Sequence, residues 1–540
     1  MRFREFIDRY YFNFILLFVI ILAFILRYYH TSIGLPYLYY WDEPQTASTA
    51  LRMMKTGDLN PHFFAYGTMM IYANLIVDIL HYFSLMGHPP TAQSYLTSLN
   101  DIIINFDTGW KWTISHPSFY HANRVLSVIL ATTIVYVTYL IGKILINRWV
   151  GLISATFLAI LPFHILRSAW ITSDMPVSLF VLTVVLFALL FIKTQKLSHF
   201  FLSLLFVGIA IATKYNAGIS LFIPILSLVW VRFYIKKEIA IYLWFSAIIL
   251  PIIIFIIIMP YAIIDLPTFL RHVGGEIRHY KVLGQGVDDT ALSPIHHIKI
   301  QLNYFYNNIG LINTVIIVLG SLGVIFRPLF IFTLALPLLY FSYMMGTKVT
   351  YHRNFIQIYP FLALLFGLGF YNIYITLKRF HLKAEFLVTL IALMLFIPQS
   401  LESYKMAKVE KMARDSRTHA MAIINGERGY KSIVIAKELR IHNQDLRLLK
   451  KPYKITPLLD IAKGKLDKDI LYVIPSQISS YRYNEDKKIV MAMRDFIKSI
   501  EPLVVQTIRK NDRGDKRRYI GITRLRHYSI SPTILLIKVK

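Results

Sequence analysis

The chain has 540 residues, 56% hydrophobic and 15% aromatic, with 58 Lys and Arg against 30 Asp and Glu and a formal charge of +28. Apolar residues at that level, spread along the whole chain, exclude a soluble globular protein and indicate a polytopic membrane protein. The absence of cysteine excludes disulfides, thiol catalysis and thiolate metal sites.

Arg2, Arg4 and Arg9 precede an apolar run from about Tyr10 to Tyr29, and no small-residue cleavage site follows before Asp42. This pattern predicts a retained signal anchor. Further apolar segments lie at roughly 123–142, 149–166, 176–192, 197–212, 216–231, 239–260, 308–326, 328–346, 355–377 and 385–400. Each is near the roughly 20 residues that a crossing needs, so eleven crossings are expected. Lys143/Arg148, Lys193/Lys196, Arg232/Lys236/Lys237, Arg327 and Lys378/Arg379/Lys383 mark connections on the same side as the amino terminus. The positive-inside rule assigns that side to the cytoplasm of a plasma or inner membrane. A membrane domain over 1–400 then has a long first outer loop at about 31–122 and another outer loop at 261–305.

Residues 401–540 follow the last crossing and are expected outside the cell. They hold 31 Lys and Arg against 15 Asp and Glu. Strands are predicted at Ser432–Ala436 and Asp469–Ile474 and a helix at Lys487–Ile500, giving a small α/β domain. The tail has no nucleic-acid motif, so nucleic acid is not an expected partner. Its basic surface suits anionic membrane lipids or phosphorylated glycolipids, or is simply a solvated Lys-rich face.

This topology gathers the unusual polar residues on the outer side. Asp42 and Glu43 follow the first crossing, Arg167 and Asp174 lie between the third and fourth, and Lys214 lies between the fifth and sixth. His272, Glu276, Arg278, His279 and Lys281 fall in the loop after the seventh, and Lys348, His352 and Arg353 lie between the ninth and tenth. Ionisable groups at membrane depth are costly, and their convergence implies a shared site. Carboxylates with isolated cations suit displacement of phosphate from a sugar: Asp42 takes the acceptor's proton, and Lys214 and Arg353 hold the departing charge.

The acidic pair Asp42-Glu43, Tyr66-Gly67-Thr68, His121-Ala122-Asn123-Arg124, Ser173-Asp174-Met175-Pro176 and Thr213-Lys214-Tyr215-Asn216 together resemble the GT-C fold glycosyltransferases. The closer likeness is to the protein O-mannosyltransferase and aminoarabinose transferase branch, and it covers about residues 1 to 400. Asp415-Ser416-Arg417-Thr418-His419-Ala420 is similar to a segment of prokaryotic members of that branch. The resemblance implies a mainly α membrane helix bundle with a small extracytoplasmic α/β domain. It also implies a polyprenyl-phosphate-linked sugar as donor, transferred with inversion to a lipid, glycan or protein acceptor. Donor phosphate contacts are implied at Arg124, Lys214 and Arg353, joined by His352; the base is implied at Asp42, with Glu43 and Asp174 as further acidic groups.

Plainer readings stand beside these. Asp42 and Asp174 each precede a helix with proline in its first turn, where a helix cap is expected. Lys214 can snorkel to the interface. His121, Glu276, Arg278 and Lys281 are candidate acceptor or loop contacts, the last three within a segment from Gly274 to Gly286 expected to be a mobile loop, while interface packing is the plainer reading of His121. Tyr39, Tyr40 and Trp41 read as an interfacial belt rather than a sugar platform. Metal dependence is open: a lysine and arginine clamp can hold the leaving phosphate without a cofactor, and a divalent metal held by Asp174 and His116 is the other option, without a standard spacing. Whole-oligosaccharide transfer and lipid-linked sugar transport are the alternative functions, the latter expected to show repeats and midplane charges.

Overall fold

The computed structural model describes residues 2–37, 40, 42–86, 117–283, 293–381, 383–412, 415–439, 441, 443–476, 487–508 and 534–538. The apolar segments fold as helices: α1 (Arg2–Tyr28), α4 (Pro117–Leu145), α5 (Arg148–Ala159), α6 (Pro162–Arg167), α7 (Asp174–Thr194), α8 (Leu197–Thr213), α9 (Phe222–Phe233), α10 (Ile241–Ile258), α12 (Pro294–Ile309), α13 (Leu311–Gly323), α14 (Ile331–Met345), α15 (Tyr359–Arg379) and α16 (Ala384–Met412). Among the described residues, eight helical segments are long and apolar enough to cross a membrane. There are nine if Pro294–Ile309 and Leu311–Phe326, bent by 110°, form one span. Two expected crossings, α5 and α8, are shorter, at 12 and 17 residues.

Pro162 explains the first shortening. It has no N–H to return to the Leu158 carbonyl, so the helix breaks there. Arg27, fully buried near the end of α1, supplies the missing donors: its guanidinium reaches the carbonyls of Leu158 at 3.1 Å and Ala159 at 2.9 Å. Ser403 of α16 donates to the Ile160 carbonyl at 2.7 Å. The second shortening follows from Lys214, which leaves the helix at φ −155° and turns its side chain inward.

One apolar cluster runs through the bundle, including the stacked pair Phe157–Phe366 at 4.1 Å. Small residues let α13 and α15 approach to backbone contact, as membrane helices often do. A Cβ on Gly320 would lie 1.9 Å from the Leu365 carbonyl oxygen, and one on Gly369 would lie 2.1 Å from that of Ile316.

The first outer segment is itself helical, with α2 (Glu43–Thr56) and α3 (Met69–Met86). The glycine-containing segment expected as a mobile loop is instead the helix α11 (Leu266–Arg278), followed by a wide helical turn over His279–Leu283; Gly284 and Gly286 lie outside the described residues. Neither Gly274 nor Gly275 has a positive φ, so both fit an ordinary helix.

Beyond the bundle, α16 continues across residue 400 to Met412, and α17 (Ser416–Ile424) begins a region with its own apolar cluster. Its five-stranded sheet has the order β2-β1-β3-β5-β4, from β1 (Ser432–Ala436), β2 (Tyr453–Thr456), β3 (Ile470–Pro475), β4 (Val504–Ile508) and β5 (Ile534–Ile537). β1 pairs in parallel with β2 and β3, while β5 runs antiparallel to β3 and β4. Arg417 forks onto Asp415 at 2.8 and 3.0 Å and stacks 3.6 Å above the Tyr37 ring. The Tyr37 hydroxyl donates to Asp445 at 2.5 Å, tying the start of the first outer segment to this region.

Gly320→Ala should lower the thermal stability of the purified protein by about 1–3 kcal/mol, because the methyl meets backbone that cannot yield. Gly274→Ala, with nothing within 4 Å of the added carbon, should leave stability unchanged or raise it. Thermal unfolding in detergent distinguishes the two.

Candidate active site

The site is organised by one turn. Residues His352–Ile358 form a short 3-10 segment ahead of α15. Arg353 of this turn pairs with Asp42, Nη2 to Oδ2, at 2.8 Å. Its neighbour Asn354 accepts a 3.0 Å hydrogen bond from Lys214, whose Nζ also lies 2.8 Å from Asp174. Asp42, Asp174, Lys214 and Arg353, spread over more than three hundred residues of sequence, thus meet across two adjacent positions of one turn.

Asp42 occupies the N-cap position of α2 but its side chain makes no capping bond. It is given to Arg353 instead, and its second oxygen has no hydrogen-bond partner among the described residues. Asp174 stands at the first position of α7, with Ser173 as the N-cap residue, and is likewise turned to a cation rather than to the helix end.

Three residues of the Thr213–Asn216 motif make contacts across the site. Lys214 joins the two carboxamide and carboxylate partners above. The Tyr215 hydroxyl donates to the Phe64 carbonyl at 2.9 Å, and the Asn216 amide donates to the Tyr340 hydroxyl at 3.1 Å. Gly67 is required opposite this motif, since a Cβ there would lie 2.1 Å from the Ala212 carbonyl oxygen. The first outer segment therefore lies directly against the turn that carries Lys214.

Tyr40 forms the floor. Its hydroxyl accepts a hydrogen bond from Arg353, whose guanidinium carbon is 5.2 Å from the ring centroid. The same ring stacks on Trp170 at 5.1 Å and 20°, and Arg124 lies 5.2 Å from the Trp170 ring on. Burial pushes the Tyr40 hydroxyl above the usual phenol range, so it remains neutral. Tyr40 thus contacts the ion-paired Arg353 as well as Trp170; Tyr39 and Trp41 lie outside the described residues.

Several expected site residues belong to the support instead. Arg124 and Glu43 form a fully buried bidentate pair at 2.8 and 2.7 Å. Arg124 spends its remaining reach on the carbonyls of Thr31 and Ile33, and Glu43 also accepts from the Ile171 amide at 3.2 Å. Arg124 has no unpartnered donor nitrogen left for a phosphate, which corrects that expectation, and Glu43 orients a cation rather than meeting an acceptor. His352 is also closed, with Nδ1 2.8 Å from Gln301 and Nε2 2.7 Å from the Tyr359 hydroxyl. His121 contacts Thr31 at 3.1 Å and packs edge-on against Tyr28, holding loop to helix.

Glu276 is half-buried on α11. That helix is fastened to the first outer segment by the Phe64 amide, which donates to His272 at 3.0 Å, and by Asn60, which donates to Asp265 at 3.0 Å. Burial raises the Glu276 carboxyl to about 7; the Asp42 charge adds to the rise and Lys214 opposes it. Arg278 and Lys281 are exposed and join neither ion pair. His116 lies outside the described residues, among which no group of three or more His, Asp or Glu side chains is placed to hold a metal. At Asp174 the position of a metal's charge is taken by the Lys214 ammonium.

Sequence reasoning missed Trp170 and Asn354. Asn354 was legible only as the neighbour of Arg353, and a buried tryptophan close before Asp174 reads as core.

Residues 120–259 match the family model described as dolichyl-phosphate-mannose-protein mannosyltransferase. The match spans Arg124, Asp174 and Lys214 and supports the resemblance to GT-C-type integral-membrane glycosyltransferases. Among solved structures, ArnT from Cupriavidus metallidurans bound to undecaprenyl phosphate aligns at 12% identity and TM-score 0.49, covering 96% of this chain and 97% of that one. The apo oligosaccharyltransferase of Archaeoglobus fulgidus aligns at 10% identity and TM-score 0.48, covering 91% and 72%. A comparison with curated protein sequences gives no significant match.

The raised Glu276 carboxyl sets a testable sign. The folded chain keeps a proton that the unfolded chain releases near 4.5, so this group's contribution to stability falls as pH rises from 4.5 through about 7. The thermal midpoint of the wild type should fall relative to Glu276→Gln across that window and run parallel to it above. Parallel curves throughout would show that Glu276 titrates normally.

Proposed function

We propose that the protein is a glycosyltransferase that moves a single sugar from a polyprenyl-phosphate-linked donor to a lipid, glycan or protein acceptor. The observation that carries this reading is the pair of ion pairs, Asp42–Arg353 and Asp174–Lys214, joined through Arg353-Asn354. A positioned carboxylate with a free oxygen, facing cations held by a rigid turn, is what displacement of a phosphate from an anomeric carbon requires.

In the proposed reaction an acceptor hydroxyl gives its proton to Asp42 as its oxygen bonds to the anomeric carbon. The bond from that carbon to the phosphate oxygen breaks on the opposite side, and the phosphate leaves with the electron pair, so configuration inverts. Lys214 and Arg353 stabilise the charge that grows on it. Both are already ion-paired, which fixes them in place before the donor arrives. In this reading Glu276, on the neighbouring helix, meets the acceptor. The positive-inside pattern puts the site on the outer membrane face, with the amino terminus in the cytoplasm and the basic tail outside.

Purified protein and Asp42→Asn, incubated with radiolabelled polyprenyl-phosphate sugars and membrane extract, test this. The wild type should release label from one donor to an acceptor, and the variant should be slower by roughly 10²–10⁴-fold with donor binding kept, the worth of general-base catalysis. Full turnover by the variant would remove Asp42 from the base role. Release only from lipid-linked oligosaccharides would favour whole-oligosaccharide transfer.

A further inference from the structure

We infer that Arg167 holds the phosphate of the lipid-linked donor, seated against the Tyr40 ring beside Arg353. This deepens the reading above and rests on it. Arg167 ends α6, and its guanidinium carbon lies 5.8 Å from the Tyr40 centroid and 5.6 Å from that of Phe163. Arg353 lies over the same Tyr40 ring. The two guanidinium groups therefore flank one aromatic ring at the site.

Their partners differ. Arg353 and Lys214 are each 2.8 Å from a carboxylate. Arg167 has no carboxylate within ion-pair distance among the described residues, and its Nε is buried without a hydrogen-bond partner. Three cations thus face two paired carboxylates, and a third acid, Glu276, is protonated below about pH 7. One positive charge is left over, and it sits on Arg167.

Arg167 is half-buried between two ring faces with no carboxylate beside it among the described residues, and the ring faces offset only part of a missing counter-ion. Its planar fork matches two phosphate oxygens. An anionic ligand of unit charge balances the site, and a phosphodiester to a lipid and a sugar carries that charge. The free cation rather than the two paired ones then makes the primary phosphate contact, and Lys214 and Arg353 act on the charge that develops as the sugar leaves.

The test uses the full-length protein in detergent with farnesyl phosphate, farnesol and inorganic phosphate as probes. The wild type should bind farnesyl phosphate more tightly than farnesol. Arg167→Gln should reduce that preference roughly tenfold or more, the worth of a charge-assisted pair, with farnesol binding unchanged. Arg167→Lys, which keeps the charge, should retain part of it and guards against misfolding of the glutamine variant; Lys237→Gln, at an exposed loop, should match the wild type. An undiminished preference in Arg167→Gln overturns the Arg167 assignment and leaves the donor reading standing. No preference in the wild type overturns both. Inorganic phosphate binding as tightly as farnesyl phosphate overturns a lipid as the source of the phosphate.

Discussion

The buried pair between Glu43 and Arg124 is the constraint on which the site depends. It joins the start of α2 to α4, clasps the Thr31 and Ile33 carbonyls, and reaches the Ile171 amide near Trp170. Two charges placed wholly out of water are stable only when each is fully partnered, and removing one partner typically costs about 3–5 kcal/mol. Asp42 immediately precedes Glu43, so a residue that cannot move sets the position of one that must be placed accurately. Glu43 is thus a strut, and its neighbour Asp42 is the base of the proposed reaction.

The same economy recurs at the helix break. Pro162 interrupts what would have been one crossing, and Arg27 takes up the carbonyls that the break exposes. That break lets α6 turn Arg167 towards Tyr40. On the far side, Arg417, Asp445 and Tyr37 hold the strand of chain that leads to Tyr40 and Asp42. Among the described residues the tail region thus meets the first outer segment at Tyr37, and it contributes no side chain to either central ion pair.

How legible this was depended on the physical signal. Hydropathy marked most of the apolar helices, because burial in a membrane acts residue by residue along the chain, but it left α3 and most of α12 inside expected outer loops. It could not show that Pro162 would break one segment or that Lys214 would end another early, and it took the residues from Gly274 onward for a loop when they fit a helix without strain. Topology brought Asp42, Asp174, Lys214 and Arg353 to one side, and the structure joins these four. Arg124, Glu43 and His352 look the same in sequence as residues open to a ligand. Only packing shows that their polar atoms are already spent on Thr31, Ile33, Gln301 and Tyr359. Tyr40 and Trp170 were hidden for the opposite reason, since an aromatic near a membrane surface has an ordinary explanation.

In the proposed reaction the turn carrying Arg353 and Asn354 assembles a site for a lipid-linked phosphate with Asp42 open beside it. The most direct measurement is an experimental structure of the full-length protein with a bound polyprenyl phosphate. The phosphate should lie among Lys214, Arg353 and Arg167, with the unpaired oxygen of Asp42 facing the space where the sugar would stand. A well-ordered phosphate held away from these side chains would contradict it.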